Sequence, residues 1–180
     1  MSEITRVALD AMGGDNAPGE IVKGAVEAVQ RRDDIKILLT GKEEVLKKEL
    51  SAYTYPKEQI EIVNATEVIE TAEPPVKAIR GKKDSSIVVA MKMVKKGEAD
   101  AFVSAGSSGA VLVGGQVLVG RIKGVERPPL APLIPTLKGV FTSDRLRSQC
   151  RCPAVPSCSV CKDGIHIYGE RYGKENPTVG

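Results

Sequence analysis

An apolar run, a turn of small residues and a second apolar run follow one another between Ala99 and Val119. Residues 99–103 read as a buried strand, and 111–119 read as an apolar helix. The turn between them is Ser104-Ala105-Gly106-Ser107-Ser108-Gly109-Ala110. A strand, a tight turn and a helix in this order need a sheet edge with the helix laid back over the sheet, which is the unit of α/β folds. The turn leaves backbone N–H groups without helical partners, and glycine and serine keep bulk away from them, so an anion can approach. Packing a helix on a sheet accounts for such a turn as well as anion binding does.

The same order recurs upstream. Residues 4–9 form an apolar strand ending in Asp10, and 11–18 are a loop carrying Gly13, Gly14, Asp15 and Pro18. From 19 to 31 the apolar residues recur at helical spacing. Residues 35–40 and 60–63 read as further strands, with a polar helix over 42–50 between them. A turn at Pro74-Pro75 opens a short helix through Arg80. Asp84-Ser85-Ser86 supply cap residues for a helix that ends at Gly97. Short strands without strict alternation, separated by helices, predict a largely parallel sheet covered on both faces. Ligands of open α/β sheets bind at the C-terminal ends of strands. The loops after Asp10 and after Val103 both lie there, so the candidate site residues are Asp10, Gly13, Gly14, Asp15, Ser104, Gly106, Ser107, Ser108 and Gly109. Of these, Asp10, Asp15 and Ser104 are the candidate catalytic groups. Arg121, Lys123 and Arg127 follow the apolar helix and are candidate anion ligands. Cations at a helix C-terminus also complement its dipole.

Composition removes several function classes. The chain has 180 residues, 42% of them hydrophobic and 27% charged, enough for one globular core. Aromatics are 3% with no Trp, and net charge is +3, which argues against stacking on single-stranded nucleic acid or neutralising a phosphate backbone. The N-terminus enters a strand directly and no apolar run reaches membrane-spanning length, so a cytoplasmic protein is expected. No Gly-x-Gly-x-x-Gly follows the first strand, which disfavours a dinucleotide-binding dehydrogenase.

Four segments together resemble a known set in order and spacing. They are Asp10-Ala11-Met12-Gly13-Gly14-Asp15-Asn16-Ala17-Pro18, residues 80–86, residues 104–110, and Gly120-Arg121-Ile122-Lys123-Gly124-Val125-Glu126-Arg127-Pro128. They are similar to the bacterial phosphate acyltransferases of phospholipid synthesis, the PlsX family, over about 4–140. The family's turn usually reads Ser-Ala-Gly-Asn-Thr-Gly-Ala, and Ser107-Ser108 is a conservative departure. The resemblance implies a three-layer fold like those of phosphotransacetylases and isocitrate-type dehydrogenases. It implies acyl phosphate formation from acyl–acyl carrier protein and inorganic phosphate, without a cofactor or metal. It further implies a homodimer with peripheral membrane contact, and a membrane glycerol-3-phosphate acyltransferase as the consumer of the product. A phosphotransacetylase acting on acyl-coenzyme A is the alternative enzyme, and a non-catalytic binding fragment is the alternative outside catalysis.

The resemblance stops after Val140. Residues 141–173 are polar and basic, and they hold all four cysteines (Cys150, Cys152, Cys158, Cys161) and the single His166. Suitable codons for 141–152, read one base later, give Leu-Leu-Leu-Ile-Asp-Cys-Gly-Ala-Asn-Val-Asp-Ala, which is the family's text. This predicts an out-of-frame segment over 141–173, a return to frame over 174–180, and a family domain whose second half is absent. A zinc site on the cysteines is the rival reading. The DNA across these residues decides between them. A chain cut there is expected to have little activity of its own.

Overall fold

The computed structural model describes residues 4–121, Lys123, and the backbone of 133–136 and 139–142. Contacts divide the chain into two units at Gly120 and Arg121. The first unit contains β1 (Thr5–Asp10), α1 (Gly19–Arg31), β2 (Ile35–Gly41), α2 (Glu43–Leu50) and β3 (Ile60–Asn64). It continues with α3 (Pro75–Gly81), α4 (Ser86–Lys96), β4 (Ala101–Val103), α5 (Ser108–Gly114) and a π-helical turn, Gly115–Val119.

The four strands form one sheet in the order β3-β2-β1-β4, and every pairing is parallel. The expected α/β fold is therefore observed. The chain steps outward from β1 through β2 to β3, then returns through α3 and α4 to place β4 on the other side of β1. The strand order reverses between β1 and β4. In doubly wound sheets such a reversal opens the crevice in which ligands bind.

Each face of the sheet buries its own set of side chains. Ile37 and Leu39 pack with Val22, Val26 and Val29 of α1 and Leu46 and Leu50 of α2. Ala8 and Leu38 point the other way, against Ala90 of α4. The alternation follows the period of two along a strand. β2 is buried on both faces from Ile37 to Gly41, which is why its sequence is a continuous apolar run. A third cluster joins Ile79, Ile87, Val88, Met91 and Ala110, holding α3, α4 and α5 together. Gly114 permits the closest approach there, because a Cβ on it would meet Met91.

Three local expectations are revised. The strand expected over 99–103 covers only Ala101–Val103; at Asp100 the N–H still donates to the Arg6 carbonyl at 2.8 Å, while the Arg6 N–H goes to the Asp100 carboxylate. The helix expected over 111–119 begins earlier, at Ser108, and changes to π geometry at Gly115. Ser85 stands at the N-cap of α4 without a side-chain cap bond, because its hydroxyl donates to the Lys82 carbonyl at 2.9 Å. Gly97 ends α4 in the left-handed region, φ 73°, as expected of a C-terminal glycine.

In the second unit, β5 (Leu133–Thr136) and β6 (Gly139–Thr142) pair antiparallel. Arg127, the four cysteines, His166 and nearly all of 141–173 lie outside the described residues. Among the described residues no helix is long and apolar enough to cross a membrane.

Candidate functional site

Parallel pairing of β1 with β4 brings Leu9 opposite Val103. The loops that leave these strands therefore emerge side by side at the C-terminal edge, at the reversal point. The expectation that both loops lie at the C-terminal edge of the sheet is met in this geometry.

Asp10 is the last residue of β1 and is completely buried. One carboxylate oxygen accepts the Met12 N–H at 3.2 Å, which folds the first loop back on itself. The other accepts the Ser104 hydroxyl at 2.7 Å. Ser104 in turn accepts the Gly106 N–H at 3.0 Å. One buried carboxylate thus ties together two loops whose residues are 94 positions apart.

Two glycines make this closure possible. A Cβ on Gly13 would overlap the Asp10 carboxylate and stand 2.9 Å from the Gly106 backbone. A Cβ on Gly106 would stand 3.2 Å from both Gly13 Cα and the Ser104 hydroxyl. The loops are in backbone contact, glycine against glycine. Gly14 adopts φ 112°, a conformation that strains any other residue. Farther back, Met12 lies over Gly41 at the end of β2, where a Cβ would come within 2.8 Å of its side chain. Thr40, also fully buried, has its hydroxyl 3.2 and 3.1 Å from the carbonyls of Leu9 and Ser86, which share its one proton. It couples the base of the first loop to the start of α4.

The geometry separates the candidate residues by role. Asp10 is fully buried and its two oxygens accept internal donors, so it holds the two loops together. Ser107 is buried and caps α5 by accepting the Ala110 N–H at 3.3 Å. Gly106 donates its amide to Ser104. The second loop presents outward Ala105 and Ser108, both exposed, with Gly109 partly exposed. Asp15 is exposed on the first loop. Arg121 and Lys123 are exposed and belong to the second unit. Reasoning from sequence missed Thr40 and Met12. The signal for Met12 was its place between Asp10 and the glycine pair.

A family model described as "Fatty acid synthesis protein" matches residues 5–143. The chain belongs to this family. The matched span contains the whole four-stranded sheet and both loops. Similar proteins include a phosphate acyltransferase of Clostridium beijerinckii, 46% identical over 97% of this chain and 53% of its own length. One of Thermoanaerobacter pseudethanolicus is 45% identical over 97% of this chain and 52% of its own. One of Alkaliphilus oremlandii is 53% identical over 75% of this chain and 40% of its own. The chain spans about half the length of the curated relatives it matches, and the resemblance carried by the glycine loops is upheld.

Proposed function

We propose that this chain carries the phosphate-binding part of a phosphate acyltransferase. The enzyme would form acyl phosphate from an acyl–acyl carrier protein thioester and inorganic phosphate, for phospholipid synthesis. The observation that carries the reading is the glycine-on-glycine junction of two loops at the sheet's reversal point, in a chain whose relatives bear the name phosphate acyltransferase.

The chemistry asks little of a side-chain nucleophile. Phosphate is already an oxyanion at neutral pH and attacks the thioester carbonyl carbon. A C–O bond forms, the C–S bond breaks, and the thiolate leaves to take up a proton. The protein's task is to hold phosphate in line and to stabilise the oxyanion that develops. The outward face of the turn, Ser108 with its hydroxyl and Gly109, supplies donors beside the narrow Gly13–Gly14 backbone, and Ser107 holds it by capping α5. Asp10 and Ser104 keep that face in register. Asp15 stands where it would position a partner group. Arg121, Lys123 and Arg127 would draw the acidic carrier protein or its phosphorylated arm. A cytoplasmic homodimer with peripheral membrane contact, handing acyl phosphate to a membrane glycerol-3-phosphate acyltransferase, completes the reading. No cofactor or metal enters it.

Titration with inorganic phosphate, followed through the amide resonances of 104–109, tests the site. Saturable shifts are expected in the native chain and none in Gly106→Val, whose side chain would press on Gly13 and Ser104. Shifts that survive Gly106→Val would remove the turn from phosphate binding. Comparing acyl carrier protein and coenzyme A thioesters as donors separates this enzyme from a phosphotransacetylase. Preference for coenzyme A would overturn the carrier-protein assignment.

A further inference from the structure

Away from the two loops, a pocket of about 430 Å³ opens between α3, α4 and the π-helical turn. Its floor is apolar. Ile79 of α3 and Val88 of α4 are buried there, and Val117 and Leu118 of the π turn form a wall. Val117 is 56% exposed, a large apolar side chain left to solvent. Three cations complete the lining: Arg80 at the end of α3, Lys83 in the following loop, and Lys92 on α4.

The charges around this pocket are unequal. Lys82 is taken by Glu73, at 2.5 Å, and by the Val68 carbonyl. The Asp84 carboxylate is held by the Thr66 N–H and hydroxyl at 3.0 and 2.5 Å, and these bonds, with the charge of Lys92, keep it below its ordinary range. Lys92 reaches the Lys83 carbonyl at 2.9 Å, which brings its ammonium beside Lys83. Among the described residues no carboxylate pairs with Arg80 or Lys83. The result is an apolar cup with a positive rim, while the carboxylates of Asp84, Glu73 and Glu67 are engaged by Thr66, Lys82 and the Asp84 N–H. Cationic side chains often lay their stems on apolar surface and point their heads to water. Here, however, cations from two helices and a loop meet around one shared floor, of a size that suits a small ligand. An amphipathic helix would need anchors over about two turns, more than this short lining offers.

We propose that this pocket binds a soluble single-chain amphiphilic anion. The aliphatic tail lies on Ile79, Val88, Val117 and Leu118, and the anionic head sits among Arg80, Lys83 and Lys92. The assignment does not rest on the acyl-transfer reading, since it uses none of the residues placed in the loop site.

The test uses this chain and dodecyl phosphate below its critical micelle concentration, titrated calorimetrically. Dodecyl maltoside has the tail without the charge, and inorganic phosphate, counted only for the binding that R80E/K83E removes, has the charge without the tail. Saturable binding of dodecyl phosphate, with both controls on the order of tenfold weaker or more, is expected. Val117→Asp and the double variant R80E/K83E should each weaken it by about tenfold. All three positions are exposed, so folding should survive, and unchanged circular dichroism verifies this. R80E/K83E should leave the loop titration with inorganic phosphate unaltered. Equal binding of dodecyl maltoside would reduce the pocket to an apolar groove, and indifference to R80E/K83E would remove the head-group site. Binding only to anionic vesicles, or only to an acidic protein, would replace the proposal. Loss of both titrations in R80E/K83E would also overturn it, by merging the two sites.

Discussion

The seam between β1 and β4 is fastened by an aspartate at each end, and the two fastenings differ in kind. At the entry end, Asp100 receives the Arg6 guanidinium at 2.9 and 3.2 Å and the Arg6 N–H at 2.8 Å. Both side chains there are more than 40% exposed. At the exit end, Asp10 receives a hydroxyl and an amide and is fully buried. Residue separation is 94 in both cases. The exposed pair has a cation to balance its charge and water to screen it, so its net contribution is small. The buried carboxylate has only neutral donors, and losing either leaves an orphaned polar group. One end of the seam is merely closed. The other is shaped, because two loops must pass within glycine distance for the carboxylate to reach both.

The strongest way to break this contrast is Gly13→Val. The added atoms meet the Asp10 carboxylate and the Gly106 backbone, and neither can withdraw without undoing the junction. We expect a stability loss of about 3 kcal/mol, the upper part of the usual range for overpacking. Phosphate titration should be lost as well. Denaturant unfolding and the titration together check this, and a native-like midpoint would mean that the loops can part without harm.

Asp10→Ala should come next. It strands the Ser104 hydroxyl and the Met12 amide together, at about 2–3 kcal/mol. Ser104→Ala alone should cost about 1–2 kcal/mol, and the double variant little more than Asp10→Ala. Additive losses would show that the two side chains act separately, against the chain of bonds from Asp10 through Ser104 to Gly106.

Much of this was legible in the sequence. Strand order was not written there, but parallel pairing was, because β2 is apolar at successive positions instead of alternate ones. Both loops were visible as small residues directly after strands. The role of Asp10 was not. A carboxylate before a glycine loop reads as a candidate catalytic group, and only the fold shows that it also joins the two loops beside Gly13. Ser107 and Ser108 are chemically identical neighbours, yet one caps α5 and the other faces outward, a difference set by where the helix begins. Ser85 misled for a similar reason, since its hydroxyl had a nearer acceptor in the Lys82 carbonyl. The pocket at α3 and α4 was invisible, since its lining comes from three separated stretches.

The smallest expected effect lies at the exposed end, where the sign can be worked out. The Arg6 side chain and amide hold the Asp100 carboxyl below its ordinary range. A carboxyl whose folded value is lowered stabilises the fold above its unfolded value, near pH 4, and loses that contribution as pH falls through the folded value. Asp100→Asn should therefore lower the unfolding midpoint slightly at pH 7, and less in high salt. The difference from the native chain should shrink below pH 4 and vanish in stronger acid. Melting curves from pH 7 to pH 2 check this. A deficit that persists undiminished in acid would mean that Asp100 acts through packing or strand geometry and not through its charge, and the two ends of the seam would then be more alike than their surroundings imply.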